Sequence, residues 1–143
     1  MMDNDLFYTC SLIEFIGRMK KQPRKEIVAK LGTEALTRIY NYADVLHSDS
    51  IENVADQYSA LADIPSGDFD NVRDCQYSIP GYWDIGKVFT RLIEDVSPDN
   101  PIEGLKIVYG SWISDAISNY NSDLYYQPRD YLKECYLSGK ILY

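Results

Sequence analysis

The segment from Leu6 to Met19 constrains the fold more than any other part of the chain. Its apolar positions cover most of the helical circumference, because two sets of them lie on different faces. The first set is Leu6, Phe7, Cys10 and Ile13, and the second is Tyr8, Leu12, Phe15, Ile16 and Met19. A helix that is hydrophobic on most sides has to be surrounded by other elements. We therefore expect this helix near the centre of a bundle.

The rest of the chain also shows apolar residues at helical spacing, and no useful length of it alternates like a β-strand. After a short helix that ends at Gly32, the pattern predicts helices from Thr33 to about His47 and from about Asp49, which can act as its cap, through Tyr58. Later helices are predicted from about Trp83 to Val96, from Pro101 to Tyr120 and from Pro128 to about Gly139. We expect an all-α protein.

The predicted helices are joined without a long linker, except at residues 64–82. That segment contains prolines and glycines and has no clean period, so it predicts a long irregular loop in the middle of the chain. The expected architecture is one domain, residues 1–143, built as a single orthogonal bundle of about six to seven helices. We also expect the tail Ile141–Tyr143 to dock on the body.

Composition limits the cellular context and the chemistry. No apolar run approaches the roughly 20 residues that cross a membrane, and the acidic start lacks the basic region of a signal peptide. Cys10, Cys75 and Cys135 form no C-x-x-C pair that would indicate zinc or redox chemistry. We expect a cytoplasmic protein without membrane contact, metal or cofactor.

Two motif-like stretches fail the requirements of the sites they resemble. Gly81, Gly86 and Lys87 have P-loop spacing, but the spacer is bulky and Val88 stands where a magnesium-binding hydroxyl is needed. A Pro-Gly turn that leads into a helix is the better interpretation. The aspartates from Asp68 onward resemble a calcium loop, but glycine and glutamate are missing at the required positions, which favours a solvated acidic loop.

A catalytic role is a further alternative, and it would rest on the single histidine, His47. It could act with a cysteine as a nucleophilic pair, or with Asp44 and Asp49 at a metal. The plain interpretation is a histidine in the last turn of a helix, where it interacts favourably with the free carbonyls. The sequence offers no convincing catalytic set, so we expect a protein that is not an enzyme.

A basic cluster near the start of the chain raises the possibility of DNA binding. The cluster consists of Arg18, Lys20, Lys21, Arg24 and Lys25. With the two helices that follow, segment 18–47 could be a helix-turn-helix regulator in which these side chains hold phosphates. The net charge of −8 opposes this, as do the outward positions of the helix from Thr33. A solvated face, or a patch that pairs with the acidic middle of a second copy, is the alternative.

Protein binding is the function that the residues favour most. Residues 44–100 carry twelve Asp/Glu against three Lys/Arg, and tyrosines are concentrated near residues 120–136. Carboxylates can steer a basic partner while aromatic side chains provide the desolvated contact. The candidate partner-binding residues are Asp68, Phe69, Asp70, Asp74, Tyr77, Tyr82, Trp83, Asp84, Tyr125 and Tyr126. For Phe69 and Trp83 the alternative is a structural role in pinning the loop to the core.

Four stretches resemble a family of short bacterial proteins encoded near putative ADP-ribosyltransferase-type toxins. They are LFYTCSLIEFIGR, IYNYADVLHSDSIENVAD, GDFDNVRDCQYSIPGYWDIGKVFTRLI and SDAISNYNSDLYY. The resemblance implies an antitoxin or immunity-like companion that neutralises a partner enzyme encoded nearby. It transfers no site residues. A second copy of the chain is another candidate partner.

Overall fold

All regular structure among residues 2–142, which the computed structural model describes, is helical. The helices are α1 Asn4–Lys20, α2 Arg24–Asn41, α3 Ala43–Leu46, α4 Ile51–Leu61, α5 Tyr82–Val96, α6 Pro101–Tyr109, α7 Trp112–Ile117 and α8 Arg129–Ser138, with a 3₁₀ helix at Leu124–Tyr126. The all-α prediction is confirmed, and the orthogonal arrangement stays a prediction. None of the helices in this part of the chain is both long and apolar enough to span a membrane.

Helix α1 is the element around which the others pack. It contacts α2, α3, α4 and α5, and ten of its 17 residues are buried. Asp3 begins the helix, because its Oδ1 accepts hydrogen bonds from the free amides of Asp5 at 3.0 Å and Leu6 at 3.1 Å. Its apolar residues join one core cluster to which every helix contributes.

Two helices that the sequence predicts as continuous are broken, and those predictions are wrong. The predicted helix from Thr33 to about His47 ends at Asn41, and α3 starts after Tyr42. The predicted helix from Pro101 to Tyr120 is interrupted where Ser111 adopts extended backbone angles after Gly110. Glycine is a poor helix former, and the Ser111 hydroxyl donates to the carbonyl of Val108 at 2.7 Å, which satisfies one end of α6.

The cap of α4 differs from the predicted one, whereas the break at Gly32 lies where a helix end is predicted. Ser50, and not Asp49, caps α4, because its Oγ accepts from the Asn53 amide at 3.1 Å. Gly32 has φ 74° and ψ 171°, a conformation that favours glycine, and it divides α2 at the position where a helix end is predicted. Of the tail, Leu142 packs against the core, whereas Tyr143 lies outside the described residues.

Helices α1 and α5 are in tight contact at Gly86. A Cβ atom added at Gly86 would lie 2.1 Å from the Oγ of Ser11 and 2.9 Å from its backbone N and Cα. Gly86 and Lys87 therefore lie inside a packed helix, and α5 begins with the amide of Gly81 donating to Asp84 Oδ2 at 2.9 Å. This agrees with the interpretation of the GxxxxGK spacing as a turn that leads into a helix.

We predict that Gly86→Ala destabilises the fold although alanine is the better helix former. The added methyl group cannot be accommodated without moving α1, and overpacking of this kind costs roughly 1–3 kcal/mol. The change in free energy of unfolding is measured by urea denaturation. Arg91→Ala, at an exposed position of the same helix, is the control and should change stability by less than about 0.5 kcal/mol. A Gly86→Ala protein as stable as wild type would contradict this account of the packing.

Candidate functional site

A buried ion pair between Glu14 of α1 and Arg24 at the start of α2 organises one side of the molecule. Glu14 is 3% exposed and Arg24 is 4% exposed. The Nε of Arg24 donates to Glu14 Oε1 at 2.5 Å. The other carboxylate oxygen accepts from Arg18 Nε at 2.8 Å and from the Tyr120 hydroxyl at 2.5 Å. Both oxygens of this buried carboxylate are therefore satisfied by hydrogen bonds.

Arg24 uses its remaining donors to hold α7 and the segment that follows it. Its Nη1 donates to the Ser114 carbonyl at 3.1 Å and to Ser118 Oγ at 2.6 Å, and its Nη2 donates to the Tyr120 hydroxyl at 2.7 Å. The guanidinium carbon also lies 4.9 Å from the centre of the Phe89 ring. A planar guanidinium can make these contacts at once, whereas an ammonium group cannot reproduce the geometry.

The charges of this network stabilise one another. Burial alone would raise the pKa of Glu14, but Arg24, Arg18 and the Tyr120 hydroxyl favour the charged carboxylate and lower that pKa below its ordinary value. Burial alone would likewise lower the pKa of Arg24, and Glu14 raises it. Both groups are charged at neutral pH. Loss of either partner would leave an uncompensated charge in the interior.

The network extends into the irregular segment between α4 and α5, residues 62–81. The Nη2 of Arg18 donates to the carbonyl of Pro80 at 2.7 Å. Asn71 Nδ2 donates to the carbonyl of Ser118 at 2.9 Å. The segment that precedes α5 is thus tied both to α1 and to the chain after α7.

A second set of hydrogen bonds joins the same segment to Asn121. The backbone amide of Gln76 donates to Asn121 Oδ1 at 2.7 Å, and Asn121 Nδ2 donates to the carbonyl of Asp74 at 3.0 Å. The thiol of Cys75 lies 3.8 Å from the carbonyl of Tyr120. Residues 74–76 and 120–121 are therefore held side by side although they are far apart in the sequence.

The basic residues predicted as a phosphate-binding patch do not share one open surface. Arg24 is buried, which corrects its placement on a solvated face, and the Arg18 guanidinium is held by Glu14 and Pro80. Among the lysines, Lys21 lies 3.7 Å from Asp70, and Lys25 lies 3.2 Å from Asp115. The pair of Lys21 and Asp70 joins the basic cluster to the acidic middle within one chain.

The first part of the acidic loop lies against the junction of α1 and α2. The amide of Gly67 donates to the Lys20 carbonyl at 2.8 Å, and the amide of Phe69 donates to the Lys21 carbonyl at 3.0 Å. Asp70 Oδ1 accepts from the amide of Arg73 at 2.9 Å, and this hydrogen bond is the main cause that lowers the pKa of Asp70. Asp68 and Asp74 are exposed. These candidate residues lie on a segment that is anchored through its backbone.

Tyr82 and Trp83 belong to an aromatic cluster between α1 and α5. The centroid of the Trp83 ring lies 5.4 Å from that of Phe7 and 6.4 Å from that of Tyr8, and the Tyr82 ring lies 5.1 Å from that of Phe15. Both candidate residues are half-buried. Their contacts support the interpretation that they pack α5 onto α1.

His47 contacts this cluster through ring packing. Its ring centroid lies 5.4 Å from that of Tyr8 and 5.7 Å from that of Trp83. Cys10 and Cys135 are fully buried, and burial raises the pKa of the Cys10 thiol to about 12. Residues 2–142 bring together no group of three His, Cys, Asp or Glu side chains suited to a metal, so His47, Asp44 and Asp49 do not form one.

Three of the candidate tyrosines come together at a surface cavity of about 480 Å³. We call Tyr77, Tyr125 and Tyr126, with the cavity between them, the tyrosine surface. Tyr77 is 67% exposed and Tyr126 is 65% exposed. Tyr120, Asn121 and Asp123 also line the cavity. The surface thus combines one residue of the irregular segment with two residues of the 3₁₀ helix.

The rings at this surface are nearly perpendicular to their neighbours. The Tyr120 and Tyr125 rings are 5.8 Å apart with an angle of 76°, and the Tyr125 and Tyr126 rings are 4.9 Å apart with an angle of 84°. Burial raises the pKa of Tyr125, and Tyr126, Cys75 and Asp84 add to that shift.

Several residues that position this site are absent from the sequence-based candidates. Glu14 is the central one, and its signal is a carboxylate inside a helix that is otherwise apolar on nearly all sides. Such a group must be paired if it is buried. Ser114, Ser118 and Asn121 give no comparable signal, because small polar residues are ordinary in turns.

Comparisons with protein-family models, with curated proteins and with solved structures found no match to this chain.

We predict that Glu14→Gln lowers the free energy of unfolding at neutral pH. We also expect that this free energy then decreases less as the pH is lowered into the acid range. Because the pKa of Glu14 is depressed in the folded state, its contribution is fully present above the ordinary value of 4.5 and is lost as the pH falls through the lower folded pKa. Removing one partner of a buried pair costs about 3–5 kcal/mol. Urea denaturation at a series of pH values measures both effects.

Asp115→Asn is the matched control, because it removes a carboxylate that pairs with Lys25 at the surface. Exposed pairs contribute at most about 1 kcal/mol, so this variant should retain the acid dependence of the wild type. If Glu14→Gln has the same acid dependence as the wild type, the buried carboxylate is not the group that couples folding to pH.

Proposed function

We propose that this chain is a non-catalytic protein-binding module that uses the tyrosine surface to hold its partner. The observation that carries the proposal is the convergence of Tyr77 and Tyr126, each about two-thirds exposed, on one cavity. Tyrosine provides a large contact area together with a hydroxyl that can form hydrogen bonds, and it is enriched at the centres of interfaces.

The backbone around the tyrosine surface favours binding, since it is ordered before a partner arrives. Asn121 forms hydrogen bonds with Asp74 and Gln76. Gln76 directly precedes Tyr77 in the sequence, and Asn121 is four residues before Tyr125. Fixing loops in advance lowers the entropy that association would otherwise cost. The same contacts hold the segment that carries Tyr77 beside the segment that carries Tyr125 and Tyr126.

Charge provides the second part of the proposal. The net charge of −8 and the exposed carboxylates of Asp68 and Asp74 would accelerate encounter with a basic protein. Asp70 is held by Lys21 and is less available for this purpose. Carboxylates at the periphery would steer the partner, and the tyrosines would determine how long it stays bound.

The resemblance described above supplies the partner to test, an ADP-ribosyltransferase-type toxin encoded next to this chain. In this proposal the chain covers the toxin and blocks its activity, as an immunity-like companion does. A cytoplasmic location accords with three cysteines that form no disulfide. The alternative is that the same surface binds a second copy of the chain. Sedimentation equilibrium of the chain alone distinguishes this self-association from binding to a different protein.

We predict that Tyr77→Ala and Tyr126→Ala each weaken binding to the adjacent gene's product about tenfold or more, because central aromatic contacts carry most interface energy. Isothermal titration calorimetry gives the affinity, and the partner's transferase activity reports neutralisation. Tyr42→Ala is the control, since Tyr42 is 59% exposed and lies outside the cavity lining. No association at micromolar concentration in low salt, or equal effects of Tyr42→Ala and Tyr126→Ala, would overturn the proposal.

A further inference from the structure

We infer that the cavity of the tyrosine surface receives an arginine side chain of the partner. This inference rests on the proposed function and adds the chemical class of the contact. It is drawn from the arrangement of rings and charges around the cavity. Two of the rings that line it, those of Tyr77 and Tyr126, are about two-thirds exposed and are therefore accessible to a planar cation.

The charge of the cavity favours a cation. Of the described residues that line it, one is a carboxylate, Asp123, and none is basic. Behind Tyr120, Arg18 and Arg24 share the single carboxylate of Glu14 and leave one uncompensated positive charge. Asp123 lines the cavity itself, whereas Arg18 and Arg24 do not.

The molecule already contains the type of contact that we propose. The guanidinium carbon of Arg18 lies 5.5 Å from the centre of the Tyr120 ring, and that of Arg24 lies 5.8 Å from it. The Tyr120 hydroxyl accepts from Arg24 at 2.7 Å. A guanidinium from a partner would meet similar rings in the cavity, with Asn121 and Asp123 as hydrogen-bond acceptors.

The other side of Tyr125 and Tyr126 is less suited to a cation. It borders a smaller cavity of about 120 Å³ whose lining includes Arg91 and Arg129. Arg129 donates to Asp95 at 2.7 Å, but Arg91 adds a positive charge to this side. Because of this asymmetry, we assign the arginine to the cavity lined by Tyr77.

The test uses the full chain with isotope-labelled tyrosine rings and two blocked peptides of sequence Gly-X-Gly-X-Gly. In one peptide X is arginine, and in the other X is citrulline, which has nearly the same shape without the charge. The arginine peptide should produce saturable ring shifts at Tyr77, Tyr125 and Tyr126 at millimolar concentration. The citrulline peptide should bind about tenfold more weakly or not at all.

Variants test which groups provide the site. Tyr126→Ala should weaken binding of the arginine peptide about fivefold, and Asp123→Asn about threefold, whereas Tyr42→Ala should leave it unchanged. Equal binding of the two peptides, ring shifts at Tyr42 as large as those at the cavity, or no binding of the arginine peptide at millimolar concentration would overturn the inference.

The arginine assignment and the proposed function can be tested independently of each other. If the adjacent gene's product binds through Tyr77 and Tyr126 but the arginine peptide does not, the arginine assignment is wrong and the protein-binding function stands. If the arginine peptide binds as expected but the gene product does not, the cation site stands and the choice of partner is wrong.

Discussion

The buried ion pair of Glu14 and Arg24 is the interaction on which the arrangement of the surface depends. A carboxylate on the central helix is costly to bury, and this one is tolerated because two arginines and a tyrosine hydroxyl surround it. The same arginine then fixes the end of α7 and the chain that follows it, through the Ser114 carbonyl and the Ser118 hydroxyl. One pair of charges thus links α1, α2 and the segment that leads to the tyrosines.

This link explains why a long segment without helix is nevertheless well anchored. Residues 62–81 hydrogen-bond to the end of α1 at one side and to residues 118–121 at the other. Loops of this length are uncommon in packed domains unless they have a role. Here the segment carries Tyr77 to a cavity shared with Tyr125 and Tyr126, so its anchoring has a direct consequence for the exposed surface.

The sequence predicts local features of this fold well and its long-range polar contacts poorly. Periodicity locates the central helix and α5, because burial of apolar side chains dictates both. It misses the breaks at Tyr42 and Ser111, where backbone geometry overrides an uninterrupted apolar pattern. Some residues of the basic cluster are buried and others are exposed, and this depends on distant parts of the chain. Arg24 is buried because it pairs with Glu14 of α1 and donates to the carbonyl of Ser114, which is about 90 residues later. No local pattern encodes that pairing.

Amide hydrogen exchange in Arg24→Lys tests the central claim most directly, namely that the guanidinium fixes Ser118 and Tyr120 and thereby the neighbouring Asn121, to which residues 74–76 are bonded. Lysine keeps the charge but cannot reach Glu14, Ser118 and Tyr120 at once. The account predicts faster exchange at Gln76, whose amide bonds to Asn121, with little change in α5. Unchanged exchange at Gln76, or equal acceleration in α5, would contradict it.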